Sequence, residues 1–241
     1  LFYYTKIMKI GIIIPTYQKI DGTTPLLLTR ALKSIKNQTH NNYEVFLIGD
    51  KYENNNEFVE LANSIIDTDK IYYENLLTAV EREKYPIGSH QLWCAGGVNA
   101  SNYGIKIAKN RGLTYICHLD HDDYWEIDHL ESIANVIKTD PDAAFICTCA
   151  TYYNTYLPAV SLNESIIHHL PIPGGVIHSS VCINHMLIPL LYRDVYAEEL
   201  KVEPSDADMW TRMSAFLREN NLVNHSYLVT KLTCYHPTEN Q

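Results

Sequence analysis

Residues 114–125 read TYICHLDHDDYW, an apolar run that carries three aspartates and two histidines to its end. Carboxylates this close raise one another's pKa and repel unless a cation lies among them. Asp120, Asp122 and Asp123 are hard oxygen donors, suited to Mg2+ or Mn2+ with a nucleoside diphosphate completing the shell, rather than to zinc. The D-x-D spacing lets one carboxylate meet the metal while the other reaches a ribose or a bridging water. The pattern recurs at Asp67/Asp69, Asp140/Asp142 and Asp206/Asp208, and two of those pairs sit in polar turns. The quoted pair stands out because an apolar strand delivers it. A zinc reading of Cys117, His118 and His121 lacks a second spaced ligand pair, and strand alternation turns Cys117 and His118 to opposite faces.

Outward from this stretch the chain alternates. Lys9–Pro15, KIGIIIP, is a short β-branched run stopped by proline, the pattern of a strand buried on both faces of a parallel sheet. Thr24 as N-cap with Pro25 at the first position predicts a helix whose stripe is Leu28, Ala31, Leu32 and Ile35. Tyr43–Gly49 is a second strand ending at Asp50. Phe58, Leu61, Ala62, Ile65 and Ile66 make another amphipathic helix, and KIYYENL a third strand. A long loop with Gly88, Gly96 and Gly97 precedes a helix around residues 99–110, closed by Gly112 as a left-handed cap. After the quoted segment come the stripe Leu130, Ile133, Ala134, Ile137 and the strand Ala143–Thr151. The remainder holds strand-like GGVIHSSVCIN, a helix from about Asp206 to Glu219 and a last strand, SYLVTKLTCY. This order predicts an α/β fold with a mostly parallel central sheet flanked by helices. Ligands of such sheets bind beyond the carboxyl ends of the strands, so Asp50 and Asp120 are expected to line one crevice.

The 241 residues allow one large domain or two small ones. A formal net charge of -9 argues against nucleic acid as partner, since a phosphate backbone needs a basic face. Six cysteines without a CxxC pair, mostly inside apolar runs, read as reduced core residues of a cytoplasmic protein. No apolar stretch approaches the ~20 residues of a membrane span.

Taken together, these segments resemble the family 2 inverting glycosyltransferases of the GT-A (Rossmann-like) fold. IIIPTYQK is similar to their opening nucleotide-binding strand and turn, and LTRALKSIKNQTHNNYEVFLIGD to the helix and strand that end in a base-contacting aspartate. GGVNASNYGIKIAKNRG matches the glycine-led helix before the metal strand, with Ser101 where many members carry arginine. YICHLDHDDYWEIDHLE looks like the D-x-D segment. PSDADMWTRM resembles the E-D-x-x-x-W segment that holds the catalytic base, with Ser205 in place of glutamate. The chain's compactness is similar to that of glycosyltransferases of large DNA viruses, which would place it in the host cytoplasm. The resemblance implies a single GT-A domain over residues 8–241, after a leader or extension at 1–7. Residues 8–123 would form its nucleotide-binding half and 124–241 its acceptor half.

The implied reaction moves a hexose or deoxyhexose from a nucleoside-diphosphate sugar, UDP favoured over GDP, to a hydroxyl of a glycan or glycoprotein. The resemblance makes Asp206 the base, with Asp208 as runner-up, and Asp122 and His236 the ligands of Mn2+ or Mg2+. It makes Pro15, Thr16, Tyr17, Asp50, Asn102 and Asp120 the nucleotide contacts. Asp50 can accept from a uracil or a guanine N–H alike, and a turn aspartate is its plainer reading. Lys19, Arg82 and Lys84 are candidate diphosphate contacts. Trp125, His178 and Trp210 are candidate acceptor or sugar contacts, Trp125 being equally readable as core. A sugar nucleotidyltransferase would want a glycine-rich basic loop after the first strand, which QKIDGTTP is not. A transferase that only binds nucleotide sugar would not need Asp120, Asp122 and Asp206 together.

Overall fold

Strands form where the β-branched and aromatic runs predict them, and helices where the apolar stripe has a period of 3.6. A computed structural model describes residues 8–237, so the expected leader at 1–7 lies outside the described residues. In chain order the elements are β1 Ile10–Thr16, α1 Thr24–Lys36, β2 Tyr43–Gly49, α2 Asn55–Ile65 and β3 Ile71–Asn75. Then follow α3 Val80–Lys84, α4 His90–Ala95, α5 Val98–Asn110, β4 Tyr115–His118, β5 Tyr124–Trp125 and α6 His129–Thr139. The last are β6 Phe145–Tyr152, β7 Thr155–Leu157, β8 Ile166–His168, β9 Val181–Asn184, α7 Ser205–Glu219 and β10 Ser226–Tyr235.

These strands share one sheet in the order β3-β2-β1-β4-β9-β6-β10-β5, with β7 paired to β6 and β8 to β10. The first four run parallel, as do β6 and β10. β9 lies antiparallel to both β4 and β6 and joins the two groups. Alternation along each strand splits the apolar residues between two cores. Ile10, Ile12, Ile14, Val45 and Leu47 pack under α1, α2 and α6, while Ile13, Phe46 and Ile48 pack under α5. α7 covers the second core with Met209, Trp210, Met213 and Leu217. Gly104 of α5 lies so close to β1 that an added Cβ would stand 2.8 Å from Ile13 Cγ2.

Three local expectations change. Thr24 lies inside α1, and its hydroxyl donates to the Tyr17 carbonyl at 3.0 Å and accepts from the Lys19 N–H at 2.8 Å. It therefore ties down the loop after β1 instead of capping a helix. The long loop before α5 carries two short helices, α3 and α4, the second capped by Ser89. In GGVIHSSVCIN only Val181–Asn184 is strand, because His178–Ser180 coil into a 3-10 turn. Gly112 does end α5 in the left-handed region, at φ 82°. All six cysteines are free and buried, and no helix among the described residues is long and apolar enough to cross a membrane.

Candidate active site

The parallel strands β1, β2 and β4 end on one edge of the sheet, which brings their following residues together. The Asp50 N–H donates to the Thr16 carbonyl at 2.7 Å, and the Leu119 N–H to the Ile13 carbonyl at 3.0 Å. Pro15 and Thr16 are buried within β1, while Tyr17 is half open, its ring edge-on to His121 at 5.4 Å. Arg82, from α3, donates through Nε to Asp50 Oδ2 at 3.2 Å and holds its guanidinium 5.4 Å over the Tyr17 ring. Asp50 is 4% exposed, and its Oδ1 is buried with no hydrogen-bond partner. Burial raises the Asp50 pKa, and Arg82 offsets only part of that. The result is an unmet acceptor beside an aromatic ring, the environment a nucleobase N–H satisfies.

The aspartates after β4 have separate partners. Asp120 accepts from His178 Nδ1 at 2.9 Å, and its backbone N–H donates to Ser179 Oγ at 2.9 Å. Burial works to raise the Asp120 pKa, but the His178 charge and hydrogen bond bring it down to about 2. Lys19 reaches Asp122 Oδ2 at 2.9 Å, and Arg30 of α1 donates to the Asp122 carbonyl at 2.6 Å. Asp123 is fully buried, accepting from His236 Nδ1 at 2.8 Å, while its Oδ2 has no partner. Burial raises its pKa to about 6, and the Asp123 hydrogen bond raises that of His236 to about 9.

Asp122 and His236 are the donors a divalent ion would take here. A buried carboxylate behind the imidazole orients His236 and leaves its Nε2 for a ligand, an arrangement common behind metal-bound histidines. Among the described residues no three His, Cys, Asp or Glu side chains gather closely enough to hold a metal by themselves. A two-ligand site finished by a diphosphate and water needs no such group.

Asp206 lies in the first turn of α7 and accepts from the Ala207 N–H at 2.8 Å. It has no ion-pair partner among the described residues. Burial raises its pKa, partly countered by the charge of His178, while Asp120 adds to the rise. Asp208 is the opposite case, 4% exposed and paired with Arg193 Nε at 2.9 Å and Arg212 Nε at 2.8 Å.

Five expected contacts are buried or bonded within the protein. Trp210 is 0% exposed and packs edge-on to Phe145 at 6.0 Å, so it is a core residue. Trp125 is 3% exposed, stacked on His129 at 4.2 Å, with Nε1 donating to the Ser179 carbonyl at 2.7 Å. Asn102 engages both ends of its amide with the Tyr192 backbone, at 2.9 and 3.0 Å. His178 is bonded at both ring nitrogens, to Asp120 and to the Tyr192 hydroxyl. Lys84 turns away to the Val195 carbonyl and the Tyr196 ring. Ser101, where arginine was expected, is buried. The site residues unread in the sequence are Arg30 and Tyr192.

The family model described as Glycosyl transferase family 2 matches residues 90–180. An uncharacterized glycosyltransferase of Acanthamoeba polyphaga mimivirus is 36% identical over 246 residues, which cover 98% of this chain and 96% of that one. In shape the chain is similar to S. aureus TarS 1-349 in complex with UDP-GlcNAc, with TM-score 0.68 and 14% identity over 97% of this chain. It is also similar to the mannosyltransferase PcManGT from Pyrobaculum calidifontis in complex with GDP-Man and Mn2+, with TM-score 0.55 and 15% identity over 96% of this chain. The match spans 60% of the TarS chain and 58% of the mannosyltransferase.

Proposed function

Because the chain belongs to glycosyl transferase family 2, we propose a specific transfer for this glycosyltransferase. A hexose or deoxyhexose passes from a nucleoside-diphosphate sugar to a hydroxyl of a glycan or glycoprotein, with inversion at the anomeric carbon. The observation that carries this reading is the contrast at the head of α7, where Asp206 has no ion-pair partner among the described residues while Asp208 is locked by Arg193 and Arg212. A carboxylate free of any ion pair and more basic than usual is suited to take a proton from an attacking hydroxyl. Asp208, held between two arginines, is not.

In this reading Tyr17 and Asp50 hold the base, Asp120 the ribose, and Lys19 lies beside the leaving diphosphate. The acceptor oxygen attacks the anomeric carbon on the face opposite the diphosphate as its proton passes to Asp206. The glycosyl–phosphate bond breaks, and its electron pair leaves with the nucleoside diphosphate. Asp122 and His236 would hold Mn2+ or Mg2+, with Asp123 fixing the His236 ring. Such an ion, when bound, neutralises charge on the leaving group. UDP is the nucleotide proposed, as in the UDP-GlcNAc complex of TarS; Asp50 could accept from guanine as well.

Calorimetric titration with UDP and with GDP, each in Mn2+ and in chelator, tests the reading. UDP should bind in Mn2+ and lose most of its affinity in chelator. Equal UDP affinity in both buffers would remove the metal from Asp122 and His236.

A further inference from the structure

One short turn grips Asp120 twice. From the 3-10 turn His178–Ser180, His178 Nδ1 donates to the Asp120 carboxylate, and Ser179 Oγ accepts the Asp120 backbone N–H, both at 2.9 Å. The turn is itself fixed, because Trp125 Nε1 donates to the Ser179 carbonyl at 2.7 Å and Ser180 Oγ to the Ile177 carbonyl at 2.7 Å. On its other edge His178 Nε2 meets the Tyr192 hydroxyl at 2.7 Å. Asn102 holds the backbone of Tyr192 from α5 at 2.9 and 3.0 Å. A continuous hydrogen-bonded line thus runs from α5 through Tyr192 and His178 to Asp120. The His178 side chain is 14% exposed and Tyr192 is 5% exposed, so water has little access to replace these contacts.

An imidazole bonded at both nitrogens has its ring orientation and tautomer set by its partners. Resting on the role given above to Asp120, we propose that His178, braced by Tyr192, is a positioning residue of the transfer, fixing the Asp120 carboxylate for the donor. Without it Asp120 would be left beside the Asp122 and Asp123 carboxylates with no hydrogen-bond donor from a side chain. Burial lowers the His178 pKa, but the Asp120 charge and hydrogen bond, then the charge of Asp206, raise it above the ordinary value.

The test uses UDP in Mn2+ as probe, read by calorimetry, with the melting temperature of each variant as control. Asp120→Asn is the reference and should weaken UDP. His178→Ala should weaken it about tenfold or more, the scale of a lost hydrogen bond to a charged group. His178→Asn, whose amide can replace the Nδ1 donor, should recover to within about threefold of wild type. Tyr192→Phe should weaken UDP in the wild-type background and add nothing in His178→Asn. If His178→Ala does not fold, that last comparison decides alone: an equal loss in both backgrounds overturns the proposal. So does His178→Asn binding no better than His178→Ala. If Asp120→Asn binds UDP like wild type, the role given to Asp120 fails whatever His178 does. If Asp120→Asn weakens UDP and His178→Ala does not, the proposal alone fails.

Discussion

Asp206 and Asp208 stand two positions apart in the first turn of α7, yet the helix points them to different surroundings. Asp206 has a backbone N–H as its partner, while Asp208 is buried between Arg193 and Arg212. Asp206→Asn should lower turnover by about a hundredfold or more while UDP affinity stays within twofold. Steady-state rates paired with calorimetry check this. Asp208→Asn should instead lower stability by about 1–3 kcal/mol, discounted because both arginines reach solvent, with activity falling only as the fold does. If turnover collapses in a fully folded Asp208→Asn, the base is misplaced. Trp210 belongs to the same contrast: Trp210→Ala should cost about 3–5 kcal/mol in urea unfolding as a core deletion.

At the scale of elements, the fit of α5 against β1 aligns the helix head with the strand ends. Gly97 precedes the helix at φ 78°, and the buried Glu81 side chain accepts from the Asn99 N–H at 2.5 Å, supplying the cap that Gly97 lacks. Gly104 permits the close crossing. Alanine there gains about 1 kcal/mol in helix propensity, but its methyl would meet Ile13, a β-branched side chain with no exposed surface and no free rotamer. Overpacking costs about 1–3 kcal/mol, so Gly104→Ala should lower the unfolding midpoint despite the better helix former.

For the whole molecule, buried titratable groups set the pH response. Burial holds His129 and His185 at about 3 against an ordinary 6.5, and puts His118 well below that value too. A depressed histidine contributes stability that is complete above its unfolded pKa and is lost as pH falls toward the folded one. Glu81 has the opposite sign: burial raises it to about 7 from 4.5, so its contribution is complete below 4.5 and lost as pH rises through 7. Between these limits six depressed imidazoles, His40, His121 and His169 joining the three above, oppose four raised carboxyls, Asp50, Asp123 and Asp206 beside Glu81, so the urea midpoint should fall from pH 6.5 to pH 5. His129→Gln should make that fall shallower, and an unchanged slope would remove His129 from the account.

Much of this was legible in the chain because it depends on local physics. Period-2 and period-3.6 patterning gave β1, β2, β3, α1 and α5 within a residue or two. The rule that ligands gather at strand ends put Asp50 and Asp120 on one edge before any contact was known. What the sequence by itself determined was therefore the α/β order and the acidic segment at the end of β4. Only the tertiary structure decided what each polar group touches. Burial packs Trp125 and Trp210 into the core, Asn102 bonds the Tyr192 backbone, and Asp123 supports His236. His178 and Asp120 are 58 positions apart, and His236 and Asp123 113 apart. Side-chain partnerships across such separations follow from how helices and strands pack, which no local window of residues contains.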